Sequence, residues 1–112
     1  MRTPRDCTHR ARKLVSTVMT LLPDSEVEQR LAGLPEWRRA EGPSIERDLK
    51  FADFAAAIAL VDRVAAAAED AGHHPDILLH GWNNVRLTLS THSAGGLTAA
   101  DFELAAQIDS LL

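Results

Sequence analysis

The segment from Asp53 to Pro75 constrains the fold more than any other part of the chain. Its apolar residues recur at helical spacing, Asp53 is placed to cap the start, and Gly72 stands where a left-handed residue ends a helix. Pro75 follows shortly, cannot extend a helix, and holds His74 in extended geometry. One long helix with a hard stop at each end therefore divides the chain. On either side lie runs of period-two alternation. Ile45 to Phe51 precedes the helix, and Asn84 to Thr91 follows it, with Val85, Leu87 and Leu89 facing one way and Arg86, Thr88, Ser90 and His92 the other.

The remaining elements follow from the same rules. Pro23 to Leu34 reads as a short helix capped by Asp24 or Ser25, and Trp37 is expected to open a first strand. Glu41-Gly42-Pro43-Ser44 is a turn cluster, Ile77 to Leu79 a short strand, and Gly81 a turn. Gly95-Gly96 permits positive φ, and Thr98 caps a final helix carrying Leu104, Ile108 and Leu111. The order α-β-β-α-β-β-α with hairpin-sized connections predicts an α+β domain, a four-stranded antiparallel sheet with helices on one face. On the long helix, Phe54, Ile58, Val61, Ala65 and Ala68 form one apolar stripe, and Leu60 with Val64 a second about 100° away. The first is expected to cover the sheet. The second would then be exposed and would drive self-association to a homodimer or homotetramer.

A chain of 112 residues suits one domain with a thin core, and 46% hydrophobic with 25% charged residues places it among globular proteins. Arg2, Arg5, Arg10, Arg12 and Lys13 face only Asp6 before Met19, while the rest of the chain is acidic. An acidic body argues against nucleic acid as a partner. Residues 1–18 are expected to be a dispensable basic extension with Met19 as the true start, and residues 19–112 the domain. A weak signal-peptide reading competes, but no small-x-small cleavage pattern precedes Pro23. Leu14 to Leu22 falls short of the ~20 apolar residues of a membrane span. Cys7 is the sole cysteine, which points to a reducing, cytoplasmic home.

His73 and His74 stand between the helix stop and Pro75, and His92 ends the phrase Leu89-Ser90-Thr91-His92. An imidazole with its ordinary pKa of about 6.5 gives and takes protons near neutrality, so three converging on one site suggest proton transfer on a small molecule. Helix C-terminal capping accounts for one of the adjacent pair but poorly for both with a third nearby. Glu69, four residues before His73, is expected to reach back to that imidazole or else to be a solvated acid. Asp101 follows Thr98 in the Thr-x-x-Asp pattern of a capping box. A metal held by the three histidines with Glu69 or Asp101 is disfavoured, because adjacent histidines rarely reach one ion and no His-x-x-x-His spacing is present. His80 reads as a solvated loop residue, His9 lies in the extension, and Trp37 and Trp82 read as core or rim aromatics. No phosphate loop, Ser or Cys nucleophile motif or nucleotide fingerprint is present.

These residues carry a resemblance. Glu69-x-x-x-His73-His74-Pro75, with Trp82 after six residues, His92 after nine more and Asp101 after eight more, resembles the signature of the pterin-4a-carbinolamine dehydratases. The likeness runs from about Leu21 to the C-terminus and includes Phe51-Ala52-Asp53-Phe54, Gly81-Trp82-Asn83-Asn84-Val85, Gly95-Gly96-Leu97-Thr98 and Ile108-Asp109. The resemblance implies a small oligomeric α+β enzyme that dehydrates 4a-hydroxytetrahydropterin to quinonoid dihydropterin without metal or organic cofactor. That reaction recycles the pterin of aromatic amino acid hydroxylases, one of which is an implied partner. It makes His73, His74 and His92 active-site histidines, with His74 the leading acid/base, and Glu69 and Asp101 the acidic positions. Pro75, Thr91, Ser93, Ala94 and Trp82 join the histidines as substrate contacts. Many members carry an aromatic two residues after the proline, where this chain has Ile77, which puts pterin stacking there in doubt. Relatives of this fold also act as a dimerisation cofactor of a transcription factor or as assembly chaperones, so a protein-binding module is the alternative. The intact histidine set speaks against it.

Overall fold

A computed structural model describes residues 20–112; the basic extension, Cys7, His9 and the Met19 start lie outside the described residues. Helix α1 (Asp24–Ala32) leads into strands β1 (Arg38–Ala40) and β2 (Ser44–Lys50), and helix α2 (Phe54–Ala71) into β3 (Asp76–His80) and β4 (Asn84–Leu89). A short 3₁₀ turn (His92–Ala94) and helix α3 (Ala99–Asp109) finish the chain. The four strands form one antiparallel sheet in the order β1-β2-β4-β3. The crossover through α2 thus carries the chain from β2 to the far edge, and β4 returns between them. The expected α-β-β-α-β-β-α order and antiparallel α+β fold are what the chain adopts, and no described helix is long and apolar enough to cross a membrane.

The sheet has one apolar face. Ile45 stands opposite Leu89, and Leu49 and Leu79 stand opposite Val85 from either side, so these side chains share the face that packs into the core with the helices. The other face is an ionic lattice. Arg38 bonds Glu46 and Asp48, and Arg86 donates to Asp48 at 2.7 Å. The Arg86 guanidinium, with Arg38 adding to it, holds the Asp48 carboxyl down at about 2 against the opposing effect of partial desolvation. Trp37 precedes β1 rather than opening it. Its indole N–H donates to Asp109 at 2.9 Å, and Arg47 from β2 donates to the same oxygen at 2.6 Å, which pins the end of α3 to the sheet.

The long helix is rotated from its expected setting. Leu60 and Val64 have no exposed surface, whereas Phe54 is 52% and Ile58 37% exposed. The buried stripe is Ala57, Leu60, Val64, Ala67 and Ala68, spaced three and four apart. Leu60 and Val64 belong to the same core cluster as Ile45 of β2, Val85, Leu87 and Leu89 of β4, and Leu104 and Ile108 of α3. The apolar arc of this helix takes in both stripes, so hydropathy leaves its roll open within that arc and the burial of Leu60 and Val64 settles it. Self-association through Leu60 and Val64 is thereby corrected, because those residues belong to the core.

Leu60→Ala is expected to lower the unfolding free energy by about 2–5 kcal/mol in urea denaturation. Phe54→Ala should change it by no more than about 0.5 kcal/mol in a monomer, as for other surface sites; the reverse ranking would contradict the helix setting. The Asp48 carboxyl should titrate near 2 in a carbon-13 NMR series and move back towards 3.8 in Arg86→Gln. Because its folded value is depressed, the stabilisation from this ion pair is complete above about pH 4 and is lost as pH falls through about 2.

Candidate active site

Three chain segments meet at one edge of the core: the C-terminus of α2, the exit from β4, and the N-terminus of α3. Gly72 (φ 64°) ends α2 in a Schellman turn, in which the His73 N–H donates to Ala68 O at 3.1 Å and the Gly72 N–H to Glu69 O at 3.2 Å. This turn swings His73 inward and leaves His74 outside. At α3, the Thr98 side chain and the Asp101 carboxylate form a capping box. The loop from Thr91 to Gly96 is closed by the Thr91 N–H donating to Gly96 O at 2.9 Å.

Asp101 joins these pieces. Its carboxylate is fully buried, with Oδ2 accepting from the Thr98 N–H and the Thr91 hydroxyl, each at 2.9 Å, and Oδ1 lying 2.6 Å from His73 Nε2. A buried carboxylate needs donors on both oxygens, and here it has them. The carboxylate can only accept, so Nε2 of His73 carries the hydrogen and Nδ1 is the basic nitrogen. His74 Nε2 lies 2.6 Å from Glu69 Oε2, an exposed pair with 62% and 75% of the side chains open to solvent. Glu69 therefore pairs with His74 and not with His73, a correction that follows from the Schellman turn: it reverses the chain at Gly72 and lays His74 back alongside the last helical turn.

His73, His74 and His92 line one cavity of about 260 Å³ together with Gly72, Ser90, Thr91 and Ser93. Ligand pockets for drug-sized molecules begin near about 300 Å³, so this one suits a smaller ring system. A neighbouring hollow of about 250 Å³ shares Ser90, Thr91 and His92 and extends to Gly42, Pro43, Gly95 and Gly96. A further hollow of about 620 Å³ lies among Arg39, Glu41, Glu46 and Arg86 on the sheet. No histidine lines it, and its arginines are ion-paired within the protein. Among the described residues, no three His, Cys, Asp or Glu side chains are grouped to hold a metal ion.

Of the expected site residues, the three histidines, Thr91 and Ser93 come together on the cavity, with Asp101 and Glu69 behind two of the imidazoles. Pro75 and Ala94 flank the cavity without lining it. Trp82 is not brought there. It occupies the β3–β4 turn in the left-handed region (φ 61°), is 61% exposed, and lies beyond Asn84, at the opposite end of β4 from Thr91. Its distance follows from strand geometry, since each residue advances about 3.3 Å along a strand. Ser90 and Gly72 were not singled out from the sequence. Alternation along β4 placed Ser90 off the core, but only the approach of the α2 terminus turns that position into a cavity wall.

A family model described as pterin 4 alpha carbinolamine dehydratase matches residues 20–111. The chain belongs to this family. A relative from Acidobacterium capsulatum bearing the pterin-4-alpha-carbinolamine dehydratase name is 53% identical over 94 residues, 84% of this chain and 100% of that protein. One from Nocardia farcinica, named likewise, is 57% identical over 91 residues, 81% of this chain and 94% of the relative. Among solved structures, a transcriptional coactivator/pterin dehydratase from Brucella melitensis superposes with a TM-score of 0.75 at 34% identity, covering 80% of this chain and 96% of that one. A pterin dehydratase-like protein identified as a RuBisCO assembly factor in the alpha-carboxysome gives a TM-score of 0.56 at 31% identity, covering 68% and 88%.

Removing His73 leaves a buried acceptor without its donor. His73→Ala is expected to cost about 1–3 kcal/mol of stability, whereas His74→Ala should cost little because both members of its pair are exposed. Urea denaturation of the two variants side by side checks this, and equal losses would contradict the assigned partners.

Proposed function

We propose that this protein dehydrates 4a-hydroxytetrahydropterin to quinonoid dihydropterin by histidine general acid–base catalysis. The observation that carries the reading is the convergence of three imidazoles, two of them backed by carboxylates, on a cavity sized for a small ring system. Loss of water from C4a requires a proton delivered to the departing hydroxyl and another removed from N5, while the C4a–O bond breaks and the N5 electron pair completes the new double bond. One protonated and one neutral imidazole meet both needs without net consumption of protons.

His74 is the leading acid/base in this reading. It is the more solvent-accessible of the adjacent pair, so it can recover its proton from water after each turnover, and Glu69 orients its ring. His73, held by Asp101, offers Nδ1 from a fixed position, and His92 completes the wall. Pro75, Thr91, Ser93 and Ala94 frame the substrate. The reaction calls on no metal or organic cofactor, and it would serve aromatic amino acid hydroxylases by returning their pterin for reduction. The exposed Phe54 and Ile58 on α2 support a homo-oligomer.

A second reading has support of its own. One similar structure is described as a coactivator and another as an assembly factor, so a protein-binding role on the same fold is the alternative. The imidazole cluster favours the enzyme, because binding a protein surface requires no buried carboxylate behind a cavity-lining histidine.

A direct assay of 4a-hydroxypterin dehydration tests the proposal. His74→Ala should lose about 10²-fold or more of kcat, the scale of general acid–base help, with unchanged circular dichroism. Near-normal turnover in that variant would refute the assignment.

A further inference from the structure

The chain of hydroxyls behind Asp101 extends one residue further than the catalytic reading requires. Thr91 Oγ and Thr98 Oγ lie 2.8 Å apart, both fully or almost fully buried. Each hydroxyl has one hydrogen. That of Thr91 goes to Asp101 Oδ2, so Thr91 Oγ must accept from Thr98. Thr98 Oγ in turn accepts the Ala100 N–H at 3.3 Å as the helix cap, while the Thr98 N–H donates to the same Asp101 oxygen at 2.9 Å. These donors therefore all point one way, from the first turn of α3 to Asp101 Oδ2, while the other oxygen of the same carboxylate accepts from His73.

We infer that Thr98 is a positioning residue for His73: its hydroxyl orients Thr91, which with the Thr98 amide occupies Asp101 Oδ2 and leaves Oδ1 to hold the Nε2–H of His73. The inference rests on the dehydratase reading for its effect on rate, but its geometric content does not. Two donors on Oδ2 fix the plane of the carboxyl group, and that plane fixes the azimuth of the imidazole. Without the Thr98 hydroxyl, Thr91 is free to rotate and to donate elsewhere. Oδ2 then loses a donor, the carboxyl group can turn, and Nε2–H is no longer the enforced tautomer. Nδ1 would be protonated in part of the population, which removes the free ring nitrogen that the dehydratase reading uses as a base. Thr91 itself is then a support whose hydroxyl faces inward to Asp101.

The test compares Thr98→Val, which keeps the shape and removes the hydroxyl, with Thr98→Ser, which restores it. Nitrogen-15 NMR of the ligand-free protein should show His73 as the Nε2–H tautomer in the parent and Thr98→Ser, and a mixture of tautomers in Thr98→Val. In the dehydration assay, Thr98→Val should lose about tenfold in kcat, the rate equivalent of one hydrogen bond, with KM little changed. Its pH–rate profile should shift on the limb set by His73, and Thr98→Ser should recover most of the loss. An unchanged tautomer and unchanged profile in Thr98→Val would overturn the inference. Should loss of the helix cap unfold Thr98→Val, Thr91→Val interrupts the same chain with Asp101 still capping α3, and a retained single Nε2–H tautomer there would overturn it equally. Absence of turnover in the parent protein would instead count against the dehydratase reading, leaving the tautomer measurement to stand alone.

Discussion

A carboxylate taken out of water must find donors for both oxygens or destabilise the fold, and Asp101 is placed where three separate segments supply them. The Thr98 amide and Thr91 hydroxyl meet Oδ2, and the His73 ring meets Oδ1. The N-terminus of α3 adds a favourable dipole to the same charge. This one group ties the first turn of α3, the exit from β4 and the end of α2 into a fixed arrangement. The wall of the imidazole cavity is the outer side of that knot.

The same economy explains the asymmetry of the two adjacent histidines. The Schellman turn at Gly72 is a backbone event, closed by the His73 N–H to Ala68 O at 3.1 Å. It gives successive side chains opposite surroundings. His73 is 12% exposed against a fully buried acid, and His74 is 62% exposed against a solvated one. One imidazole is thus held rigidly and shielded, while its neighbour remains in exchange with water. That difference in surroundings comes from a single glycine and the proline that follows.

The rest of the domain keeps this arrangement still. The apolar face of the sheet packs on Leu60, Val64 and the α3 residues Leu104 and Ile108, and Trp37 with Arg47 fastens the far end of α3 through Asp109. The opposite face is a lattice of arginines and acids exposed to solvent. It contributes solubility and strand register more than stability, since exposed ion pairs are individually weak.

Local chemistry in the sequence determined the element order, the antiparallel sheet, the Asp53 and Thr98 caps, the Gly72 stop and the buried face of β4. Each of these depends on residues close together in the chain: a side chain bonding its own backbone, a glycine accepting positive φ, or alternation with period two. The three histidines were legible as a group because packing alone gave no reason for them. The tertiary structure decided which carboxylate serves which imidazole, since Asp101 reaches His73 across 28 positions of sequence and so leaves Glu69 to His74. It also decided the roll of α2, where two adjacent apolar stripes are each acceptable to hydropathy and the burial of Leu60 and Val64 in the common core selects one. Spacing along a chain reports contacts within one helical turn or one strand; pairings between elements are set by the shape of the core that brings them together.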